Sequence, residues 1–209
     1  MASIKSLILQ GEGVRLDFKK TITNTEKIAK SLVAFANNKG GKLLIGVADD
    51  GTIKGVKSEE EEKYMILTSA HQFCKPAIEP TFEEIYVDDK LVLVVNIPES
   101  DTKPHYALDE NKKWWAYIRI DDKSVLASRI IVEVLKQDYK NNGVLISYSE
   151  NEKKLLEYLE RNERITLKEF SKLLRSSYRK AQKVLVSLIL TNVIKTHTSD
   201  KEEYFTAVR

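Results

Sequence analysis

The sequence lacks several features that would mark particular protein classes. It has one cysteine, Cys74. A lone thiol cannot close an intramolecular disulfide or build a zinc cluster, and it suits a reducing cytoplasm. Cys74 precedes Lys75-Pro76 at a predicted helix end, where a half-buried small residue is the plain reading rather than a nucleophile. No uninterrupted apolar run approaches the roughly 18 residues of a membrane span. Met1 to Gln10 carries one Lys and a short apolar patch with no small-residue cleavage site after it, so it does not read as a secretory signal. A cytoplasmic protein with no membrane partner is expected. No G-x-x-x-x-G-K-[ST] loop is present to cradle a nucleotide phosphate, and no cofactor is expected. The 209 residues suit two domains, with 42% hydrophobic content for their cores and 31% charged residues for a soluble surface.

The net charge of +3 says little until its distribution is considered. Residues 150–209 hold 13 Lys/Arg against 9 Asp/Glu, so the first 149 residues are close to neutral at −1. Between Arg164 and His197 there are eight basic residues and one acidic residue, Glu169. Such a block is the footprint of a polyanion-binding surface, although a solvated helix face would look the same by composition.

Hydrophobic periodicity divides the chain. Leu16 to Lys20 reads as a strand, and a helix capped at Thr25 runs to Phe35, stopped by Asn37-Asn38-Lys39-Gly40-Gly41. Lys42 to Val47 and Thr52 to Val56 read as strands flanking the turn Asp49-Asp50-Gly51. Ser58 starts a helix to Cys74, with Glu61 completing a capping-box pattern. Phe82 to Val87, Leu91 to Ile97 and Ala116 to Ile120 read as strands. Pro98 to Lys113 reads as a long exposed loop. A helix from about Ser128 to Lys140 is expected to close this domain. Its apolar content makes it the candidate dimer contact, and Asn141-Asn142-Gly143 would begin a linker. After Ser149 the rhythm changes to three helices, capped at Ser149, Thr166 and Ser177, and two short strands, Val193 to Thr198 and Glu203 to Ala207. That is the order of a winged helix-turn-helix. The expected fold class is α+β, with a mixed-sheet domain and packed helices over 1–147 and a small winged helix-turn-helix domain over 148–209.

In a helix-turn-helix the recognition helix enters the major groove, and its first residues meet base edges. Here that segment offers Arg175, Ser177, Tyr178, Arg179, Lys180, Gln182 and Lys183. Arg can pair with guanine and Gln with adenine, while Ser, Tyr and Lys can hold phosphates. Lys195 and Lys201 would lie on the wing. DNA is the favoured partner, RNA stays open, and a homodimer is open because many such proteins bind as two-fold pairs. Winged helices also serve as protein–protein modules, and Arg175 could instead cap the second helix.

Four passages of the first half resemble a known family. They are Gly11-Glu12-Gly13-Val14-Arg15-Leu16-Asp17-Phe18-Lys19, Ala34-Phe35-Ala36-Asn37-Asn38-Lys39-Gly40-Gly41, Leu43-Leu44-Ile45-Gly46-Val47-Ala48-Asp49-Asp50-Gly51, and Ile97-Pro98-Glu99-Ser100 with Lys103-Pro104-His105-Tyr106. In this order, over residues 11–120, they resemble the Schlafen-type AlbA domain. The resemblance implies DNA binding and, in bacterial transcriptional regulators, a winged helix after the domain. Tyr117 and Arg119 match the family's Tyr-x-Arg pattern. Lys19, His105 and Arg119 are the candidate nucleic-acid contacts of this half, with Arg119 alternatively pairing with Asp17 or Glu12.

Vertebrate Schlafen relatives also include ribonucleases with three acidic residues. The matching positions here are Glu12, Asp17, and Asp49 or Asp50, which as a trio could hold a divalent metal for phosphodiester cleavage. Two departures argue against an enzyme. Asp17 stands where the family usually has Glu, and Ala48 stands where an acidic residue is common after Gly46-Val47.

Overall fold

The segments Leu43-Leu44-Ile45 and Leu91-Val92-Leu93-Val94-Val95 are apolar without alternation, the pattern of strands covered on both faces. A computed structural model describes residues 3–138, 149–199 and 202–208 and resolves into two compact units, 1–127 and 128–209. The first unit begins with α1 (Ile4–Gln10), β1 (Leu16–Lys19), α2 (Thr25–Asn37), β2 (Gly41–Ile45) and α3 (Glu59–Gln72). It continues with β3 (Cys74–Lys75), β4 (Thr81–Val87), β5 (Lys90–Ile97), β6 (Tyr106–Leu108), β7 (Trp114–Trp115), β8 (Tyr117–Ile120) and β9 (Lys123–Leu126).

The main sheet has the order β1-β2-β5-β4. β1 and β2 are parallel, whereas β2–β5 and β5–β4 are antiparallel, so the sheet is mixed. Successive side chains point to opposite faces. Leu43, Ile45, Leu93 and Val95 therefore meet Ile28, Leu32 and Phe35 of α2 and Ile66 of α3. Leu16, Phe18, Leu44, Val92 and Val94 face the other way, onto Ile4, Leu7 and Ile8 of α1. Two covered faces explain why β2 and β5 lack the polar alternation of a half-exposed strand.

The second unit comprises α4 (Arg129–Asp138), α5 (Glu150–Arg161), α6 (Leu167–Leu173), α7 (Tyr178–Leu190), β10 (Ile194–Thr198) and β11 (Glu203–Ala207). Its helices start on oxygen-bearing caps, as expected from the sequence. Ser149, Thr166 and Ser177 accept from the backbone N–H of Asn151, Glu169 and Lys180, and Thr166 with Glu169 forms a complete capping box. β10 and β11 pair antiparallel as a separate hairpin. Ile165, between α5 and α6, bridges to Phe205 and ties the hairpin to the helices. Three helices, α5 to α7, followed by this hairpin have the order of a winged helix-turn-helix.

Several segments differ from the sequence expectation. Helix α4 does not close the first domain. Ile130 and Val134 belong to the second unit's core, with Leu185 and Leu188 of α7. Its apolar side therefore has an intramolecular partner, which removes the ground for reading it as a dimer contact. The sequence boundary at 147 and the linker start at Asn141 lie outside the described residues. Thr52 to Val56 is not a full strand. Only Val47 and Ile53 bridge, and Gly55, at φ 78°, turns the chain so that Lys54 and Gly55 both donate to the Gly46 carbonyl. Pro98 to Lys113 is not a simple exposed loop, because β6 lies between β3 and β7 in a small sheet. The helix cap expected at Thr25 is Asn24, one residue earlier.

Candidate nucleic-acid interface

The N-terminal half of α7 separates its two faces as a period of 3.6 requires. Ala181, Val184, Leu185 and Leu188 are buried, whereas Tyr178, Arg179, Lys180 and Lys183 are exposed and Gln182 is half-buried. The turn before the helix is held by Arg175, whose backbone sits at φ 48° and whose N–H donates to the Lys172 carbonyl. Arg175 thus terminates α6 with its backbone while its side chain stays exposed. Ser177 uses its oxygen as the α7 cap, 3.3 Å from the Lys180 nitrogen. None of Arg175, Arg179, Lys180 and Lys183 is in an ion pair among the described residues.

On the hairpin, Lys195 lies opposite Thr206 and His197 opposite Tyr204. These alternate with Ile194 and Phe205, which face the core, so they belong to the outer face. Lys195 is exposed. Lys201 lies outside the described residues. The outer face also holds a stack that the sequence reading did not identify. The His197 and Tyr204 rings are 4.8 Å apart and 8° from parallel, and the Arg164 guanidinium lies 4.9 Å from the Tyr204 ring. Arg164 also pairs with Glu202 at 3.0 Å. Alternation along β10 and β11 was the available signal for this stack.

The candidates of the first unit are placed differently. Arg119 is buried. It reaches Asp17 at 3.3 Å and the Gly13 carbonyl at 2.9 Å, and lies 4.8 Å from the Phe35 ring. Lys19 is held by the Asp17 carboxylate at 2.9 Å and by the Phe18 carbonyl at 2.6 Å. His105 is buried, with Nδ1 2.8 Å from the Pro76 carbonyl and Nε2 2.6 Å from the Ser100 hydroxyl. Burial first, then the charge of Lys103, holds its pKa below the ordinary histidine value against the Pro76 bond. Arg119 thus takes the alternative pairing, with Asp17, and His105 has both ring nitrogens engaged inside the unit, whereas Lys19 pairs with Asp17 but keeps over a third of its side chain exposed. Asn37 and Asn38 likewise bind distant strands rather than their own turn. Asn37 donates to the His105 and Tyr117 carbonyls and accepts from the His105 N–H, and Asn38 donates to the Arg119 carbonyl.

The acidic residues form a pair with basic partners. Glu12 accepts from the Phe18 N–H at 2.7 Å, and Asp17 lies between Lys19 and Arg119. Burial, with the hydrogen bond to Asp17, pushes Glu12 up to about 7. Burial opposes ionisation of Asp17, but the Glu12 hydrogen bond and the charges of Lys19 and Arg119 outweigh it and hold Asp17 below its ordinary value. Asp49 and Asp50 are exposed in the turn, where Asp50 accepts from the Thr52 N–H at 2.8 Å. Among the described residues, no three His, Cys, Asp or Glu side chains converge as a metal site. Among them, too, no helix is long and apolar enough to cross a membrane.

Comparison with known proteins adds the following. No curated protein matches the chain. The DIP2311 protein of Corynebacterium diphtheriae is similar in structure, with a TM-score of 0.43 and 18% identity, over 61% of this chain. The chain spans only 26% of that protein. The N-terminal domain of a RecG-related protein from Nitrosomonas europaea is similar with a TM-score of 0.45 and 25% identity, over 62% of this chain and 94% of that domain. The family model described as Schlafen, AlbA_2 matches residues 12–128, more than half of the chain, and the protein therefore belongs to the Schlafen AlbA_2 family.

Proposed function

We propose that the protein binds nucleic acid, as a DNA-binding transcriptional regulator that lays the start of α7 in a major groove. The observation that carries this reading is the group of exposed cations Arg175, Arg179, Lys180 and Lys183, free of ion pairs among the described residues, opposite an apolar helix face. Arg179 is the residue for a guanine edge and Gln182 for an adenine edge. Arg175, Tyr178, Lys180 and Lys183 hold phosphates, and the Ser177 hydroxyl can still donate to one while its oxygen caps the helix. Lys195 and Lys201 grip the backbone beside the groove. The partial positive charge of the α7 N-terminus adds to the attraction. As a homodimer, the protein would read two half-sites about 34 Å apart.

The test is a mobility-shift assay on a duplex recovered by selection from random sequences. Arg179→Ala costs about 1–3 kcal/mol, concentrated at one base position. Lys195→Ala weakens every duplex alike. Duplex binding by an Arg179→Ala/Lys183→Ala double variant as tight as the parent's, at physiological salt, would overturn the proposal.

A further inference from the structure

The main sheet of the first unit has two edges, β1 and β4, and they differ. β1 is closed along its outer side. Leu16 exchanges backbone bonds with Gly13, the Phe18 N–H donates to Glu12 at 2.7 Å, and the Phe18 carbonyl accepts from Lys19 at 2.6 Å. β4 is a seven-residue strand in unbroken register with β5. Asp88 and Asp89, at φ 48° and 60°, form the two-residue turn that makes Val87 and Lys90 a hydrogen-bonded pair. Alternation then directs Ile85, Glu83 and Thr81 to β5 as well. The N–H and C=O groups of Phe82, Glu84 and Tyr86 point away from the sheet, and none has a partner among the described residues. Edge strands are commonly guarded by lysine, proline, a bulge or brevity. β4 has no Lys, Pro or bulge. Its two charges are already engaged, since Glu83 accepts from Asn96 at 2.8 Å and Glu84 pairs with Lys63 of α3. Tyr86 beside them keeps 69% of its surface exposed.

These free groups are complementary to those of a second β4. A two-fold axis perpendicular to the sheet pairs two such strands antiparallel and keeps each face on its own side. Opposed residues then share a face, so the axis must pass through a residue. Through Glu84, it sets Phe82 against Tyr86 twice and Glu84 against its symmetry mate. All the outward N–H and C=O groups of both strands are then bonded. Through Glu83, Tyr86 would meet Pro80, which has no N–H. Through Ile85, Phe82 would meet Asp88 in the turn. The Glu84 register alone satisfies every group. It also covers the exposed Tyr86 ring with Phe82, and each Glu84 brings its own Lys63, which offsets the meeting of like charges. An unrelated extended peptide would bond to the same edge without this match of register and rings. We infer that β4 is a homodimer interface, which joins two four-stranded sheets into one of eight strands. The interface stands apart from the DNA-binding reading, which it would supply with a dimer contact in place of α4.

The test is sedimentation of the full-length protein over about 1–300 µM. A pairing limited to Phe82–Tyr86 is smaller than a standard interface and suits a dissociation constant on the order of 10 µM. Glu84→Pro removes the central outward N–H without touching a bond to β5. Tyr86→Lys sets a charge against Phe82. Each weakens dimerisation at least about tenfold, with the far-UV circular dichroism unchanged. Tyr86→Lys, at an exposed position, decides the matter if Glu84→Pro does not fold. Glu84→Cys cross-links as a disulfide dimer on mild oxidation, because the hydrogen-bonded mates stand about 5.5 Å apart, whereas Thr81→Cys does not. Cys74 is buried and does not compete. Arg179→Ala/Lys183→Ala leaves the dissociation constant unchanged, so failure here and failure of the α7 reading can be told apart. A monomer over the whole range overturns the inference and leaves the edge to a strand of another protein. A dimer that keeps the parent's affinity in Tyr86→Lys, or does not cross-link through Glu84→Cys, also overturns it.

Discussion

At the residue scale the most constrained group is Arg119. Its side chain is buried against Asp17, the Gly13 carbonyl and the Phe35 ring. Removing one member of a buried ion pair is costly even where, as at Asp17, a second cation, Lys19, stays beside the carboxylate. Arg119→Ala is expected to lower unfolding stability by about 3–5 kcal/mol, measured by urea denaturation. Glu12 gives a pH signature. Its carboxyl is pushed up to about 7 from an ordinary 4.5. Between those values the folded chain keeps a proton that the unfolded chain has released, so this group's stabilisation is fully present below 4.5 and is lost as pH rises through 7. Asp17 has the opposite sign, since its lowered pKa gives stability that is lost only as pH falls below the ordinary 3.8. Glu12→Gln, which stays neutral, should therefore flatten the urea midpoint between pH 4.5 and 7. A variant that retains the parent's slope over that range would contradict this assignment.

At the element scale the junction from α2 to β2 fixes the first unit. Gly40 adopts φ 65°, and a Cβ at Gly41 would stand 2.4 Å from the Phe35 ring. That ring is fully buried and cannot give way. Gly41→Ala should cost at least about 1–3 kcal/mol by overpacking, read as a fall in the thermal midpoint. These glycines were legible in the sequence because they follow an apolar helix and precede an apolar strand. The helix caps at Ser58, Thr166 and Ser177 were legible for the same local reason. The small sheet β3-β6-β7 was not, since strands of two or three residues carry no period. The fate of His105 was not legible either. Its burial depends on Asn37, Pro76 and Ser100, which no local pattern connects to it. The placement of α4 depended in the same way on a distant partner, α7. At the candidate interface, the polar face of α7 followed from spacing alone, whereas the Arg164–Tyr204–His197 stack required the hairpin register.

At the scale of the whole molecule the two units use their charges differently. In the first, Lys19, Lys103, His105 and Arg119 are committed to carboxylates, carbonyls or hydroxyls within the unit. In the second, the cations at the start of α7 have no such commitment among the described residues. Cations left in water on a rigid helix are those available to neutralise phosphates, and each neutralised phosphate releases counterions. The most direct measurement is the affinity of the full chain for duplex DNA across a salt series, with the parent beside Arg179→Ala/Lys183→Ala. The slope of log K against log salt should be steep for the parent and shallower by about one unit in the double variant, which loses the Lys183 phosphate contact. Equal slopes for the two proteins would contradict a phosphate-binding role for this surface of α7.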